Sequence, residues 1–231
     1  MSNLINLHKN KVALISLIVL SGCSRSGQIT QDVEETAQSV AATPAMSFFL
    51  TSAGPGDGAN LGGLDGADAH CSALAAAAGS DGKTWRAYLS TTGEGGVNAT
   101  DRIGDGPWYN ANGVQAAQNV AHLVSEDNNL SKETSISERG EIISGRGDSP
   151  NRHDILTGTQ LDGLASSDEG DTTCSNWTSN GDGSAIVGHH DRTGGGSNPT
   201  SWSSAHGSRG CSQANLQATG GDGLFYCFAV N

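Results

Sequence analysis

Apolar residues gather in a few places along this chain, and the spacing within each gathering predicts a different element. Val12 to Leu20 is a run of nine residues, apolar except for Ser16, well short of the about twenty that a membrane-spanning helix needs. Phe48-Phe49-Leu50-Thr51 is a short β-type run that ends in the turn formers Gly54-Pro55-Gly56. From Asp65 to Gly79 the period is helical. Cys71, Leu74, Ala75 and Ala78 fall at i, i+3, i+4 and i+7, which puts Cys71 on the buried stripe of one helix. Asp65 is its expected N-cap, Asp68 suits the first turn, and Gly79 is the expected residue just past the end. Thr84 to Thr91 alternates, with Trp85, Ala87 and Leu89 on one face and Arg86 and Tyr88 on the other, as a strand does. Gly223 to Val230 is apolar at almost every position and predicts a closing strand buried on both sides. Val114 to Ser125 fits a helix, against the preference of its β-branched residues and Asn119. Between Ser131 and Gly223 turn residues dominate.

The first apolar run has a setting of its own. Lys9 and Lys11 precede it, and Leu20-Ser21-Gly22-Cys23 follows it. A basic segment, a short apolar run and small residues before a cysteine make residues 1–22 an expected export signal. The tetrapeptide resembles the bacterial lipobox, which implies that Cys23 is lipidated and becomes the first mature residue. Several acyl chains on one cysteine give stable membrane anchoring, which a single chain does not. Ser24 after the cysteine implies, by the sorting rule of such lipoproteins, delivery to the outer membrane, with the domain periplasmic or surface-exposed. Residues 23–46 are small and polar and read as a flexible tether. Residues 47–231 fit one domain. The net charge of −12 becomes −14 when the two lysines of residues 1–22 are removed. Nucleic acid and anionic membrane surfaces need clustered Lys and Arg, so this balance argues against both as partners. The 33 glycines predict a loop-rich domain.

With Cys23 committed to lipid, Cys71, Cys174, Cys211 and Cys227 remain, an even number for an oxidising compartment. Two disulfides are expected, in any of three pairings that spacing does not separate. A four-cysteine zinc site is disfavoured because no Cys-x-x-Cys occurs.

An ordered set of segments resembles the endostatin-type C-type-lectin-like domain. Ala67-Asp68-Ala69-His70-Cys71 and the small-residue helix lead into Thr84-Trp85-Arg86-Ala87-Tyr88-Leu89-Ser90. Asp101-Arg102, the turn Leu156-Thr157-Gly158, Thr173-Cys174-Ser175-Asn176-Trp177, Cys211 and Phe225-Tyr226-Cys227-Phe228 follow in the family's order. The resemblance spans residues 47–231 and extends to bacterial lipoprotein domains of the same type. It implies an α+β fold: a mixed sheet, one or two helices, long loops and nested disulfides. It thereby implies the pairs Cys71–Cys227 and Cys174–Cys211.

Candidate chemistry is sparse. Gly145-Arg146-Gly147-Asp148-Ser149-Pro150 matches the integrin-recognition peptide of fibronectin. An exposed loop of that kind can offer Arg146 to an acidic pocket and Asp148 to a partner's metal ion, while the same residues also simply make turns. His189, His190, Asp191 and His206 are types that ligate zinc or copper. Neighbouring histidines on a strand point apart, so the sequence reads them as loop histidines without a metal. Asp162, Asp168, Glu169, Asp171 and Asp182 are hard oxygen donors that would suit a structural calcium ion, or simply a solvated acidic rim. The sugar-binding acidic motifs of C-type lectins are missing at Ser197-Asn198-Pro199 and after Trp177, and no other cofactor motif appears. His153-Asp154 and His190-Asp191 are neighbours in sequence, but no Gly-x-Ser-x-Gly or His-Glu-x-x-His occurs, so no catalytic residues are assigned. The expectation is a non-enzymatic binding or adhesion module for a glycan or extracellular protein, with contacts at Arg146, Gly147, Asp148 and Trp202. The alternatives are a structural envelope lipoprotein and a secreted hydrolase, which a pocket joining His153 or His190 to a serine would favour.

Overall fold

The computed structural model describes residues 42–167 and 170–231, which fall in one compact unit. The expected signal segment, Cys23 and all but the end of the tether lie outside the described residues, as do Asp168 and Glu169. The element order is β1 (Phe48–Leu50), α1 (Gly63–Ala77), β2 (Trp85–Ala87), β3 (Trp108–Tyr109), β4 (Gln115–Ala117), α2 (Val120–Leu123), β5 (Asp154–Leu156), α3 (Cys174–Trp177), β6 (Ile186–His189), β7 (His206–Gly207), α4 (Gln213–Thr219) and β8 (Gly221–Ala229). A 3₁₀ turn, Ala99–Arg102, lies between β2 and β3. The fold is α+β with few helices and a mixed sheet, as expected.

β8 is the axis of that sheet. β1 pairs with it antiparallel on one edge, with Phe49 opposite Cys227. The other edge is shared: β5 runs parallel to its first half, and β2 antiparallel to its last, with Trp85 opposite Ala229. β6 and β7 continue the sheet beyond β5 in antiparallel register. Because side chains alternate along a strand, β8 feeds two cores at once. Phe225, Cys227 and Ala229 enter the core under α1, with Trp85, Ala87 and Leu89. Leu224, Tyr226 and Phe228 enter the opposite core, with Phe48, Tyr88, Trp108 and Trp202. The expected two-sided burial of the closing strand and the alternation of Trp85 to Leu89 are both realised.

α1 starts three residues earlier than expected. Gly62 is the N-cap, in the left-handed region at φ 76°, and Asp65 sits in the first turn. Its end is as expected: the Gly79 amide donates to Ala76 O and the Ser80 amide to Ala75 O, with Gly79 at φ 77°. That is the paired-bond termination which favours glycine. Asp68, 6% exposed, turns inward and receives Arg86, Arg102 and the Ala87 amide, at 2.6, 2.6 and 2.8 Å. These bonds tie the helix to β2 and satisfy a carboxylate that would be costly to bury alone.

Two expectations are corrected. Val114–Ser125 is not one helix: β4 pairs with β3, and a separate turn of helix starts at Asn119, whose side chain accepts from the His122 amide. An Asx cap competes with continuous helix, and here it wins. The stretch after Ser131, expected to be turns, holds β5, β6, β7 and α4. Those strands are only three, four and two residues long, too short to show a period.

The disulfides pair as the resemblance implies. Cys71–Cys227 fastens α1 to β8, and Cys174–Cys211 closes a separation of 37 residues. The second bond anchors an unusual left-handed turn, in which Cys174, Ser175, Asn176 and Trp177 have φ of 49°, 55°, 54° and 68°. Asp171 accepts from the Ser175 amide at 2.7 Å, and the Trp177 ring is buried with its N–H on Ser90 O at 2.8 Å.

Candidate metal centre

Strand register brings the site together. Asp154 opens β5 directly opposite His189, the last residue of β6. His206 opens β7 opposite Val187, which shares a face with His189. Asp154, His189 and His206 therefore meet on one side of the sheet end. His153 precedes β5 and joins them, its ring stacked on that of His189 with centroids 4.4 Å apart and planes 9° off parallel. The β5–β8 pairing slips between Asp154 and Leu156. Such irregularities re-aim side chains at strand ends.

The Nε2 atoms of His153, His189 and His206 lie 3.1, 3.3 and 3.5 Å from Asp154 Oδ1. His189 Nε2 and His206 Nε2 are 3.1 Å apart. The other ring nitrogens are committed elsewhere. His153 Nδ1 faces Thr193 O at 3.2 Å, His189 Nδ1 faces Pro199 O at 2.8 Å, and His206 Nδ1 faces Gly207 O at 3.0 Å. A carbonyl only accepts, so each Nδ1 carries a proton and donates. In the neutral rings each Nε2 then holds a lone pair. The three Nε2 atoms surround one carboxylate oxygen.

The Asp154 carboxylate is 2% exposed, and neither of its oxygens has a hydrogen-bond partner. Burial pushes this carboxyl up. The pull of the adjacent His189 and His206, with the charge of His153 and His206, outweighs burial and holds it down at about 2. The adjacent Asp154 carboxylate raises His206 above the ordinary histidine range. Asp191 lies 3.4 Å from His153 Nδ1. Burial pushes the Asp191 carboxyl up, but His153 and the amides of Arg146 and Thr193 hold it well below the usual range.

The enclosure is built from glycines. A Cβ on Gly194 would fall 2.3 Å from His189 Cε1, one on Gly196 2.9 Å from His206 Cβ, and one on Gly220 2.8 Å from His153 Cδ2. Side chains there would collide with the imidazoles, so these glycines let backbone close directly over the rings. Only His206 reaches outward, with its side chain 25% exposed. It lines a cavity of about 310 Å³ together with Gln160, Ser197, Asn198 and Ser204.

His153, Asp154 and His189 hold their ligand atoms within 4.8 Å of one another, and His206 Nε2 stands beside them, 3.1 Å from His189 Nε2 and 3.5 Å from Asp154 Oδ1. With His206 they offer three imidazoles and one carboxylate. Imidazole suits zinc, copper, iron and nickel, and four protein ligands with no open position are the pattern of a structural zinc site. Asp191 behind His153 has the place of an outer carboxylate that orients a ligating histidine.

The other candidates fall elsewhere. His190 points away, as neighbours on a strand do, with Nε2 on Ser144 O at 3.3 Å, and burial lowers its pKa. Trp202, expected at a contact surface, is 4% exposed and packs against Tyr88 and Tyr226 at 4.9 and 5.2 Å. Its apolar ring is worth more in the core than at the surface. Arg146, Gly147 and Asp148 are exposed. Asp162 and Asp171 cap backbone amides of their own turns, and neither belongs to the three-residue ligand group. His153 and Asp154 were legible only as sequence neighbours; in space they touch. Their signal was a His-Asp pair opening the apolar Ile155-Leu156, with glycine-flanked histidines downstream. No family model matches the chain, and no curated protein matches it.

Proposed function

We propose that this chain is an exported, lipid-anchored binding module with an endostatin-type C-type-lectin-like fold, and that its domain holds one divalent transition-metal ion of the zinc class. The ligands are Nε2 of His153, His189 and His206 and the carboxylate of Asp154. One observation carries the metal assignment: a buried carboxylate whose oxygens accept no hydrogen bond faces the Nε2 atoms of three imidazoles. A buried charge without a partner costs several kcal/mol, on the order of what unfolds a domain. A divalent cation supplies what all four groups lack, and the charge of Asp191 offsets the surplus positive charge that remains.

The ion's role in this reading is structural. It staples β5, β6 and β7, whose short strands share few backbone bonds, and it fixes the glycine-rich segment after His190. Hydrolysis has less support: the ring nitrogens of His153, His189 and His206 face carboxylates, one another and backbone carbonyls, with no serine hydroxyl among these neighbours. Export and the lipid at Cys23 rest on the sequence alone.

Calorimetric titration of the chelator-treated chain with zinc chloride tests the assignment. The expected result is one ion per chain, with affinity falling at least a hundredfold in Asp154→Asn. Equal affinity in that variant, or no binding by the native chain, would remove the site.

A further inference from the structure

The Gly-Arg-Gly-Asp segment is connected to the metal centre. Asp191 bridges them: one oxygen faces His153 Nδ1 at 3.4 Å, and the other accepts the Arg146 amide at 2.6 Å. Asp191 is 5% exposed at its side chain, and a Cβ on Gly145 would fall 2.5 Å from its Oδ2. The turn thus sits directly on this carboxylate.

The turn itself is well defined. The Asp148 amide donates to Gly145 O at 3.1 Å, and Gly147 has φ 91°. A closed four-residue turn with positive φ only at its third position is type II, with Arg146 and Gly147 at its corners. Asp148 Oδ2 is used twice, by Lys132 Nζ at 2.6 Å and by the Gly145 amide at 2.8 Å. No bond to Oδ1 or to the Arg146 guanidinium occurs among the described residues. Apart from its own chain neighbours, nothing among the described residues lies within 4 Å of where a Gly147 Cβ would be, so the crown of the turn is open to approach. On a chain of net charge −12, Arg146 stands out as an unpaired cation beside a half-used carboxylate.

We propose that the Gly145–Asp148 turn is a docking surface for a protein partner that offers an acidic side chain to Arg146 and a bound divalent cation to Asp148 Oδ1, and that the metal centre sets the shape of this turn through His153 and Asp191. The second clause rests on the metal assignment above; the first does not. An ion on His153 Nε2 fixes the ring, the ring orients Asp191, and Asp191 holds the Arg146 amide. Outer carboxylates of this kind are ordinarily the last polar link of a metal site; here the link continues to an exposed turn.

The test uses the full chain in detergent, loaded with zinc and immobilised, with suspended cultured fibroblasts in magnesium buffer as the probe and soluble Gly-Arg-Gly-Asp-Ser-Pro peptide as competitor. The expected result is attachment that falls at least tenfold with the peptide and with Asp148→Glu. Attachment should fall similarly in Asp191→Asn and in Gly145→Ala, which moves the turn off Asp191 while leaving every metal ligand and the Arg146 and Asp148 side chains unchanged. Hydrogen exchange at the Arg146 amide should speed up about tenfold on zinc removal, the loss of one bond to a charged acceptor. Attachment that the peptide does not reduce would overturn the docking surface. Zinc retained, but with exchange at Arg146 indifferent to it, would overturn the coupling. A native chain that binds no zinc yet attaches in a peptide-sensitive way would support the docking surface and defeat the metal assignment alone.

Discussion

Zinc should raise the melting temperature of this domain, and the size of the effect follows from linkage. An ion that binds only the folded state adds RT ln(1 + [Zn]/Kd), about 2.7 kcal/mol when free zinc is a hundred times Kd. For a domain of about 150–250 residues each kcal/mol moves the midpoint by about 2–4 °C. The expected gap between zinc-buffered and chelated protein is therefore about 5–11 °C. The structure gives a reason for the gap to survive intact disulfides. Cys71–Cys227 and Cys174–Cys211 hold α1, β8, the left-handed turn and the segment before α4, but neither has a cysteine in β5 or β7, the strands that bring Asp154 and His206. Differential scanning calorimetry without reductant reads the gap directly. In Asp154→Asn it should shrink to about 1 °C or less, because the remaining three groups lose their only anion. Calcium should not substitute, since imidazole is a poor ligand for a hard ion. A native chain that melts alike in zinc and in chelator, or an Asp154→Asn chain that responds like the native one, would refute the reasoning.

Three further outcomes are expected. Gly194→Ala places a methyl 2.3 Å from the His189 ring and should weaken zinc binding by about ten- to a hundredfold, the range for changes behind a ligand, as read by competition with a chromogenic chelator. Replacing Cys174 and Cys211 together by serine should cost about 4 kcal/mol in urea unfolding, the loop-closure value for their separation of 37 residues. In the chelated chain, the Asp154 carboxyl at about 2 lies below its ordinary 3.8. A depressed acid stabilises the fold above its unfolded value, so this contribution is present above about pH 4 and is lost as pH falls toward about 2. Urea midpoints at several acid pH values should fall less steeply in Asp154→Asn.

The parts of the fold that were legible in the sequence carry their period within one segment. β8 is nine residues long and announces burial on both faces. Trp85 to Leu89 alternates, and Gly79 ends α1 because only a residue at ease at φ 77° fits there. The nested disulfides came from the order of segments in a resembled family; spacing left three pairings open. The candidate site was illegible for the opposite reason. Its strands are two to four residues long, and Asp154 meets His189 only through a pairing distant in sequence. The rule that neighbours on a strand diverge held for His189 and His190. It did not apply to His153 and Asp154, which stand at the mouth of β5 beside a slipped pairing. The glycines at 194, 196 and 220 read as loop composition; their use, to admit imidazole rings against bare backbone, needs the packed structure to be seen. Trp202 shows the same limit from the other side, since a tryptophan in a polar segment gives no local sign that it plugs a core.

The most direct test of the metal centre is X-ray absorption at the zinc K-edge on the zinc-loaded chain. The proposed site predicts four-coordinate zinc with nitrogen and oxygen at about 2.0–2.1 Å, with outer scattering from three imidazoles and no sulfur. A six-coordinate shell of oxygen, or sulfur ligation, would contradict the assignment of His153, Asp154, His189 and His206.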